Sequence, residues 1–274
     1  VKTRFKNLGN ILAQDETQTD VYVLDSPILT NGMYARLREF LGAGAVEIDC
    51  TFDAAVASGD GRGLRDALDR IRRDAAEAVR SGASHVVLTD DNQGPRRCPV
   101  PMALAVGATH AYLTNEGLRT YCSLNVRAAD AWDSHACAVL IGLGATTVNP
   151  YVAFETVTTR DERGLAALSP RERAGRLKQA LDAGLLKIMS KMGIAVISSY
   201  RGGCNFEVLG LSRALAAEYL GGATSRISGI GLAGLEEKLA ELHAFAWAAA
   251  DAVRLPVGGF YRQRSSGEAH ALEA

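Results

Sequence analysis

Hydrophobic and polar positions along this chain follow two rhythms. Over Ala45-Val46-Glu47-Ile48-Asp49-Cys50-Thr51-Phe52 the period is two, with Val46, Ile48 and Cys50 on one face, which predicts a half-buried strand. From residue 63 to 81 the period lengthens. Leu64, Leu68, Ile71, Ala75 and Val79 recur at helical spacing, with arginines and carboxylates opposite them. Gly59-Asp60-Gly61 lies between the two stretches and marks a turn.

The same order then repeats. His85–Thr89 is a short apolar strand that ends in the polar loop Asp90-Asp91-Asn92-Gln93-Gly94-Pro95. A helix is predicted from about Pro101, where the missing N–H costs nothing. A strand over Tyr121–Val126, a helix over 129–142 and a brief strand over Thr146–Asn149 follow. Residues 170–190 give a helix with Ser169 as N-cap and Pro170 at its first position. Ile194–Ser198, introduced by Gly193, reads as a fifth strand. The pattern then weakens into a helix over Phe206–Leu220, a glycine-rich stretch over Arg226–Gly231 and an amphipathic helix over Leu235–Val253. Residues 1–30 read as an extended lead-in, where Pro27 bars a continuous central strand.

Strands alternating with long helices predict βα units and a parallel sheet. A closed barrel of this kind needs eight strands, and five are visible. The expected fold is therefore α/β, a degenerate or incomplete (βα) TIM-barrel-like domain with mostly parallel strands; an open doubly wound sheet is the competitor. Gly59-Asp60-Gly61-Arg62-Gly63 lacks the spacing of a dinucleotide fingerprint, and no P-loop occurs.

Charge narrows the partners. With 30 basic and 31 acidic side chains the formal net charge is −1, so no long-range field draws in nucleic acid or an anionic membrane. No apolar run reaches the length of a membrane span. Cys50, Cys98, Cys122, Cys137 and Cys204 are widely spaced, without zinc or iron–sulfur spacing, and read as buried reduced thiols of a cytoplasmic protein. The start at Val1, neither an initiator methionine nor a signal peptide, suggests a chain cut from something longer or a removed tag.

In a βα barrel the chemistry sits at the C-terminal ends of the strands. The candidates there are Asp49, Thr51, Asp90, Asp91, Asn125 and Asn149. Asp90 and Asp91 are the best pair for acid/base or magnesium work, although adjacent side chains diverge and such a run is also ordinary turn sequence. His110 and His135 fall in helices without a marked nucleophile beside them. Lys187 and Lys191 lie in a helix, away from where a Schiff-base lysine belongs. Met189 and Met192 read as core, and Arg201 as the anchor of a loop or an acidic partner.

Several short stretches match a known family. Leu186-Lys187-Ile188-Met189-Ser190-Lys191-Met192-Gly193-Ile194 with Ser199-Tyr200-Arg201-Gly202 resembles a signature of the glutamate synthase large subunit. So do Ser26-Pro27-Ile28-Leu29-Thr30, Ile48–Phe52, Asn149–Thr156, Phe206–Leu211 and Ser225–Gly229, all in one order along the chain. The resemblance points to the central domain, a barrel-like unit without cofactor. It lies between an amidotransferase domain and a synthase domain that carries FMN and an iron–sulfur cluster.

That resemblance implies a lead-in over 1–44, a central domain over 45–253, and over 254–274 the start of the linker into the FMN domain; the tail from Pro256 is expected to lack order without that domain, since few apolar residues there can dock. It implies no chemistry in this chain alone. The expected role is to space the active domains and to line part of an ammonia channel. Leu29, Thr30, Asn31 and Thr51 are the expected channel positions, with Lys191 and Arg201 as further channel or interface positions. The parent's electrons come from a small subunit or from ferredoxin. A free-standing barrel enzyme of aldolase or flavin type, using Asp90 or a lysine, is the alternative, and a residual anion site near Gly202-Gly203 or Gly221-Gly222 a third possibility.

Overall fold

The structure is a computed structural model that describes residues 22–159 and 167–248, together with residues 3, 4, 12 and 16. Near the start β1 (Thr3–Arg4) pairs antiparallel with β2 (Val23–Leu24). Helix α1 (Asn31–Leu41) follows, its first turn capped by the Thr30 hydroxyl, which accepts from the Met33 N–H.

The predicted βα order is then built. Strand β3 (Ala45–Asp49) leads through the short β4 (Thr51–Asp53) into α2 (Arg62–Arg80). Strand β5 (His85–Thr89) leads through β6 (Arg97–Pro99) into α3 (Met102–Asn115). Strand β7 (Ser123–Arg127) leads to α4 (Ser134–Gly142), and β8 (Thr147–Asn149) to α5 (Tyr151–Thr159). Ser169 caps α6 (Pro170–Lys191) with Pro170 in its first turn, as the sequence predicts, and Glu172 completes a capping box with it. The remainder is α7 (Ile197–Tyr200), β9 (Gly210–Leu211), α8 (Arg213–Tyr219), β10 (Gly229–Ile230) and α9 (Leu232–Ala248).

The main sheet is parallel and its spatial order is its chain order, β3-β5-β7-β8. A doubly wound sheet reverses direction at a switch point. This one does not, so the chain forms a four-strand wall of an incomplete βα barrel. Register separates the two faces. Val46, Val86 and Leu124 lie in one row, and Ile48, Leu88, Val126 and Val148 in the next. These apolar rows meet the helices, where Leu64, Leu68 and Ile71 of α2 are fully buried. Each such side chain contributes about 1.5–3 kcal/mol.

Four expectations need correction. Residues Ile194–Ser198 do not form a fifth strand; Ile197–Tyr200 is a helical turn that buries Ile197 and Tyr200. The free edge of β8 is already taken by the lead-in. Ile28 bridges Val148 in parallel, Leu29 N–H donates to Val148 O, and Val148 N–H donates to Pro27 O. A strand from 194–198 has nothing left to pair with there. The helix expected over Phe206–Leu220 begins only at Arg213, because Gly210–Leu211 pairs in parallel with Gly229–Ile230. The helix expected from 129 begins at Ser134, capped by Asp133. Met192 is 41% exposed, while Met189 is core as expected.

Cys50, Cys98, Cys122 and Cys137 are buried and Cys204 partly so, and all five are free thiols. Among the described residues no helix is long and apolar enough to cross a membrane. The expectation for 254–274 lies outside the described residues.

Candidate functional site: the polar face of the wall

The face of the sheet turned away from the helices is mostly polar, with Ala45 and Val87 its apolar members. Register places His85 and Ser123 in one row, Glu47, Asn125 and Thr147 in the next, and Asp49, Thr89, Arg127 and Asn149 in the last. His85, Ser123, Asn125 and Thr147 are each at most 5% exposed. They satisfy one another. His85 Nδ1 lies 2.7 Å from Ser123 Oγ, Asn125 Nδ2 donates to that oxygen at 3.0 Å, and Thr147 Oγ1 donates to Asn125 Oδ1 at 2.8 Å. A buried polar row is tolerated only when its groups are paired in this way.

The C-terminal rim of the strands carries most of the sequence candidates. Asn149 Nδ2 donates to Leu29 O and to Asn31 Oδ1, both at 2.9 Å, and Asn31 Nδ2 donates to Tyr151 O at 3.1 Å. Leu29, Asn31 and Asn149 thus meet where the lead-in closes on β8. Thr51, fully buried, is held on the other side of the wall: its hydroxyl donates to Asp49 Oδ1 at 2.7 Å and accepts from Arg97 Nε at 2.9 Å. The rim therefore gathers Leu29, Thr30 and Asn31 at one end and Thr51 at the other.

Between them runs a cavity of about 350 Å³ lined by Asn31, Tyr34, Glu47, Asp49, Thr89, Asp91, Asn92 and Arg127, among others. Arg127 stacks between two rings, 4.4 Å from the Tyr151 centroid and 5.1 Å from that of Tyr34. Its guanidinium also donates to Asn149 and ion-pairs with Asp91. Burial opposes ionisation of Glu47, but the Tyr34 hydroxyl and Arg38 outweigh it and hold its carboxyl below the usual range. Burial likewise opposes ionisation of Asp49, and hydrogen bonds from Thr51 and Asn92 with the charge of Arg97 win.

Asp90 and Asp91 do diverge. Asp91 is exposed and paired with Arg127, whereas Asp90 is 2% exposed and takes the Ala129 N–H on both oxygens, at 2.9 and 3.1 Å. Burial, helped by repulsion from Asp130, pushes Asp90 up to about 7. Both carboxylates tie one βα loop to the next. Among the described residues no group of three His, Cys, Asp or Glu side chains is placed to hold a metal.

The other candidates lie apart from this rim. His110, on α3, accepts from Arg119 Nε at 3.0 Å, and burial with the charges of Arg119 and Arg201 lowers it to about 4. Arg201, pushed down to about 10 by burial and by Arg119, belongs to this second cluster. Lys191 ends α6 on the surface. His135 lies in α4, as read. The Gly202 and Gly203 amides donate to Ile141 O and Tyr200 O, so no anion cradle forms at that pair. Sequence reasoning named Asn125 but missed His85, Ser123 and Thr147. The alternation in Ser123-Leu124-Asn125-Val126-Arg127 was the available signal, since every second residue is polar in a strand otherwise buried.

Fold and rim together define a class: a barrel wall of βα units whose buried polar face is cross-linked by its own side chains. Comparison with known proteins names it. Residues 1–212 match the glutamate synthase central domain, and the chain belongs to that family. It is 54% identical to the glutamate synthase [NADPH] large chain of Azospirillum brasilense over all of this chain and 18% of that protein. It is 32% identical to the corresponding large chain of Bacillus subtilis over 96% of this chain and 17% of that protein. The ferredoxin-dependent glutamate synthase of Pyropia yezoensis is also 32% identical, over 96% of this chain and 18% of that protein. The chain thus spans less than a fifth of the length of these relatives. Among solved structures, a flavocytochrome b2 variant aligns at a TM-score of 0.40 and 18% identity, over 48% of this chain and 32% of that one.

Proposed function

We propose that this chain is the non-catalytic central domain of a multi-domain glutamate synthase. In this reading the parent converts glutamine, 2-oxoglutarate and two electrons into two glutamates. It does so in the cytoplasm, with FMN and an iron–sulfur cluster held in another domain. The electrons arrive from a small subunit or from ferredoxin. The chain spaces the amidotransferase and FMN domains and lines part of the path of ammonia between them. It performs no chemistry in isolation.

The observation that carries this reading is the meeting of Leu29, Asn31 and Asn149 where the lead-in pairs with β8. A wall that conducts neutral ammonia has to exclude water and hold its polar groups fixed. Here each amide of that junction is already bonded to the protein, and the segment from Ser26 to Leu29 is buried. Thr30 is fixed as the cap of α1. Thr51 lies on the same rim at the far side, and Lys191, exposed at the end of α6, belongs to a surface that meets a neighbouring domain.

The test uses the full-length enzyme. Replacing Asn31 by Leu removes the bonds to Asn149 and Tyr151. The variant is expected to hydrolyse glutamine at the normal rate, to release at least a third of the ammonia into solution, and to form correspondingly less glutamate. Full coupling in both Asn31→Leu and Thr30→Val would remove the channel role.

A second reading, a barrel enzyme of aldolase or flavin type, draws on one observation: the cavity of about 350 Å³ at the strand ends, lined by Glu47, Asp49 and Asp91. Titrating the isolated chain with FMN, glutamine, 2-oxoglutarate, NADPH and phosphate separates the two. A bound yellow flavin, or a clear thermal shift with one substrate, would favour the enzyme.

A further inference from the structure

The glycine-rich turn Gly59-Asp60-Gly61-Arg62-Gly63 has no place in the reading above, and the spacing of its glycines fits no nucleotide motif. Its geometry is nevertheless that of an anion cradle. Gly59 and Gly61 both adopt left-handed backbone, at φ of 78° and 80°, and the turn runs directly into the first turn of α2. Successive amides in such a conformation converge on one point, and a helix N-terminus adds its positive end there.

That point is occupied. The carboxylate of Glu236, fully buried on α9, accepts from Leu64 N–H at 2.7 Å, from Gly59 N–H at 2.9 Å and from Gly61 N–H at 3.2 Å. Both of its oxygens are held by backbone amides. The glycines are also required by closeness. A Cβ on Gly61 would lie 2.8 Å from Ala233 N, and one on Gly63 would lie 2.7 Å from Val56 O and 3.2 Å from Glu236 Oε2.

We propose that residues 59–64 form a carboxylate-binding nest whose ligand is the chain's own Glu236, and that this bond latches α9 onto the barrel wall. Leu232 is buried beside the nest, and Leu235 and Leu239 continue the packed stripe along α9. A second polar tie, from His243 Nε2 to Gly94 O at 2.9 Å, lies two turns further along. Apolar packing alone lets a helix slide or roll. A three-donor carboxylate site fixes both its register and its rotation.

The nest is tested by emptying it in the full 274-residue chain. Glu236→Ala leaves a carboxylate-sized hole lined by three amides. It is expected to lower the Tm by roughly 5–10 °C. Formate or acetate should restore at least half of that loss with saturation, while chloride at equal ionic strength should not. Glu236→Gln, which turns an amide toward amide donors, should be destabilised but gain little from formate. His243→Ala breaks the other tie without opening a nest, and should show no formate rescue. Wild-type Tm in Glu236→Gln, or equal effects of formate and chloride on Glu236→Ala, would overturn the proposal. Should Glu236→Ala fold only in formate, the latch is supported. If it fails to fold even there, the Gln variant decides: loss of Tm supports the latch, and a wild-type value refutes it.

Discussion

At the scale of single residues, a buried carboxyl and a partly buried imidazole shift in ways that oppose each other. Asp90 rises from an ordinary 3.8 to about 7 because burial penalises its charge more than the Ala129 N–H relieves it. A raised carboxyl stabilises the fold below the unfolded value and loses that contribution as pH climbs to the folded one. From about pH 4 to pH 7 Asp90 therefore removes up to ~4 kcal/mol. His110 falls from 6.5 to about 4, so its contribution is complete above 6.5 and is lost as pH drops toward 4. Over the same window it adds up to ~3 kcal/mol with rising pH. The wild-type Tm profile should consequently be flatter than either group alone would give. In Asp90→Asn, the Tm difference from wild type should grow more positive by roughly 5–10 °C between pH 4.5 and 7. His110→Gln should move the opposite way. Differences that stay constant across that range would remove both assignments. The sequence showed Asp90 at a strand end and His110 inside a helix, and both positions are found. What it could not show is that Asp90 faces Ala129 and that His110 faces Arg119. Those partners lie 39 and 9 residues away and are brought close only by the fold.

At the scale of elements, periodicity located strands well where both neighbours were strands and failed where the neighbour was unforeseen. Strands β3, β5, β7 and β8 were legible because their apolar rows continue across the sheet in register. Ile194–Ser198 has the same apolar character, yet the pairing edge it needed belongs to Ile28. Strand identity is thus a property of the available edge as much as of the segment. Helix contacts give a prediction whose sign reverses between two glycines. A Cβ on Gly107 of α3 would lie 2.3 Å from Tyr219 O of α8. Gly107→Ala should therefore cost about 2 kcal/mol despite alanine's better helix propensity. A Cβ on Gly175 of α6 meets no described atom within 4 Å. Gly175→Ala should gain roughly 0.5–1 kcal/mol. Urea denaturation of the two variants checks both, and a gain at Gly107 would mean that α3 and α8 pack less closely than described.

At the scale of the whole molecule, α9 is two-sided. Its inner stripe carries Glu236 and His243, while Leu242 and Phe245 on the opposite side are 61% and 48% exposed. Apolar side chains held outward by a fixed helix leave an apolar patch on the surface. Leu242→Lys together with Phe245→Glu should leave the Tm of the isolated chain within ~1 °C of wild type, as surface changes do, and lower its binding of a hydrophobic dye. A large fall in Tm would place those side chains in the core instead. The closure of the wall by Ile28 and Leu29 has one more consequence, and it concerns time. Leu29 and its partner Asn149 are separated by 120 residues of chain. At about 5–20 residues per second, a ribosome needs roughly 6–24 s to make that stretch. Throughout that interval the first segment of the sheet to leave the ribosome has no partner to pair with. A nascent chain halted before Val148 should therefore expose Ser26–Leu29 to protease, and one halted well beyond α5 should not.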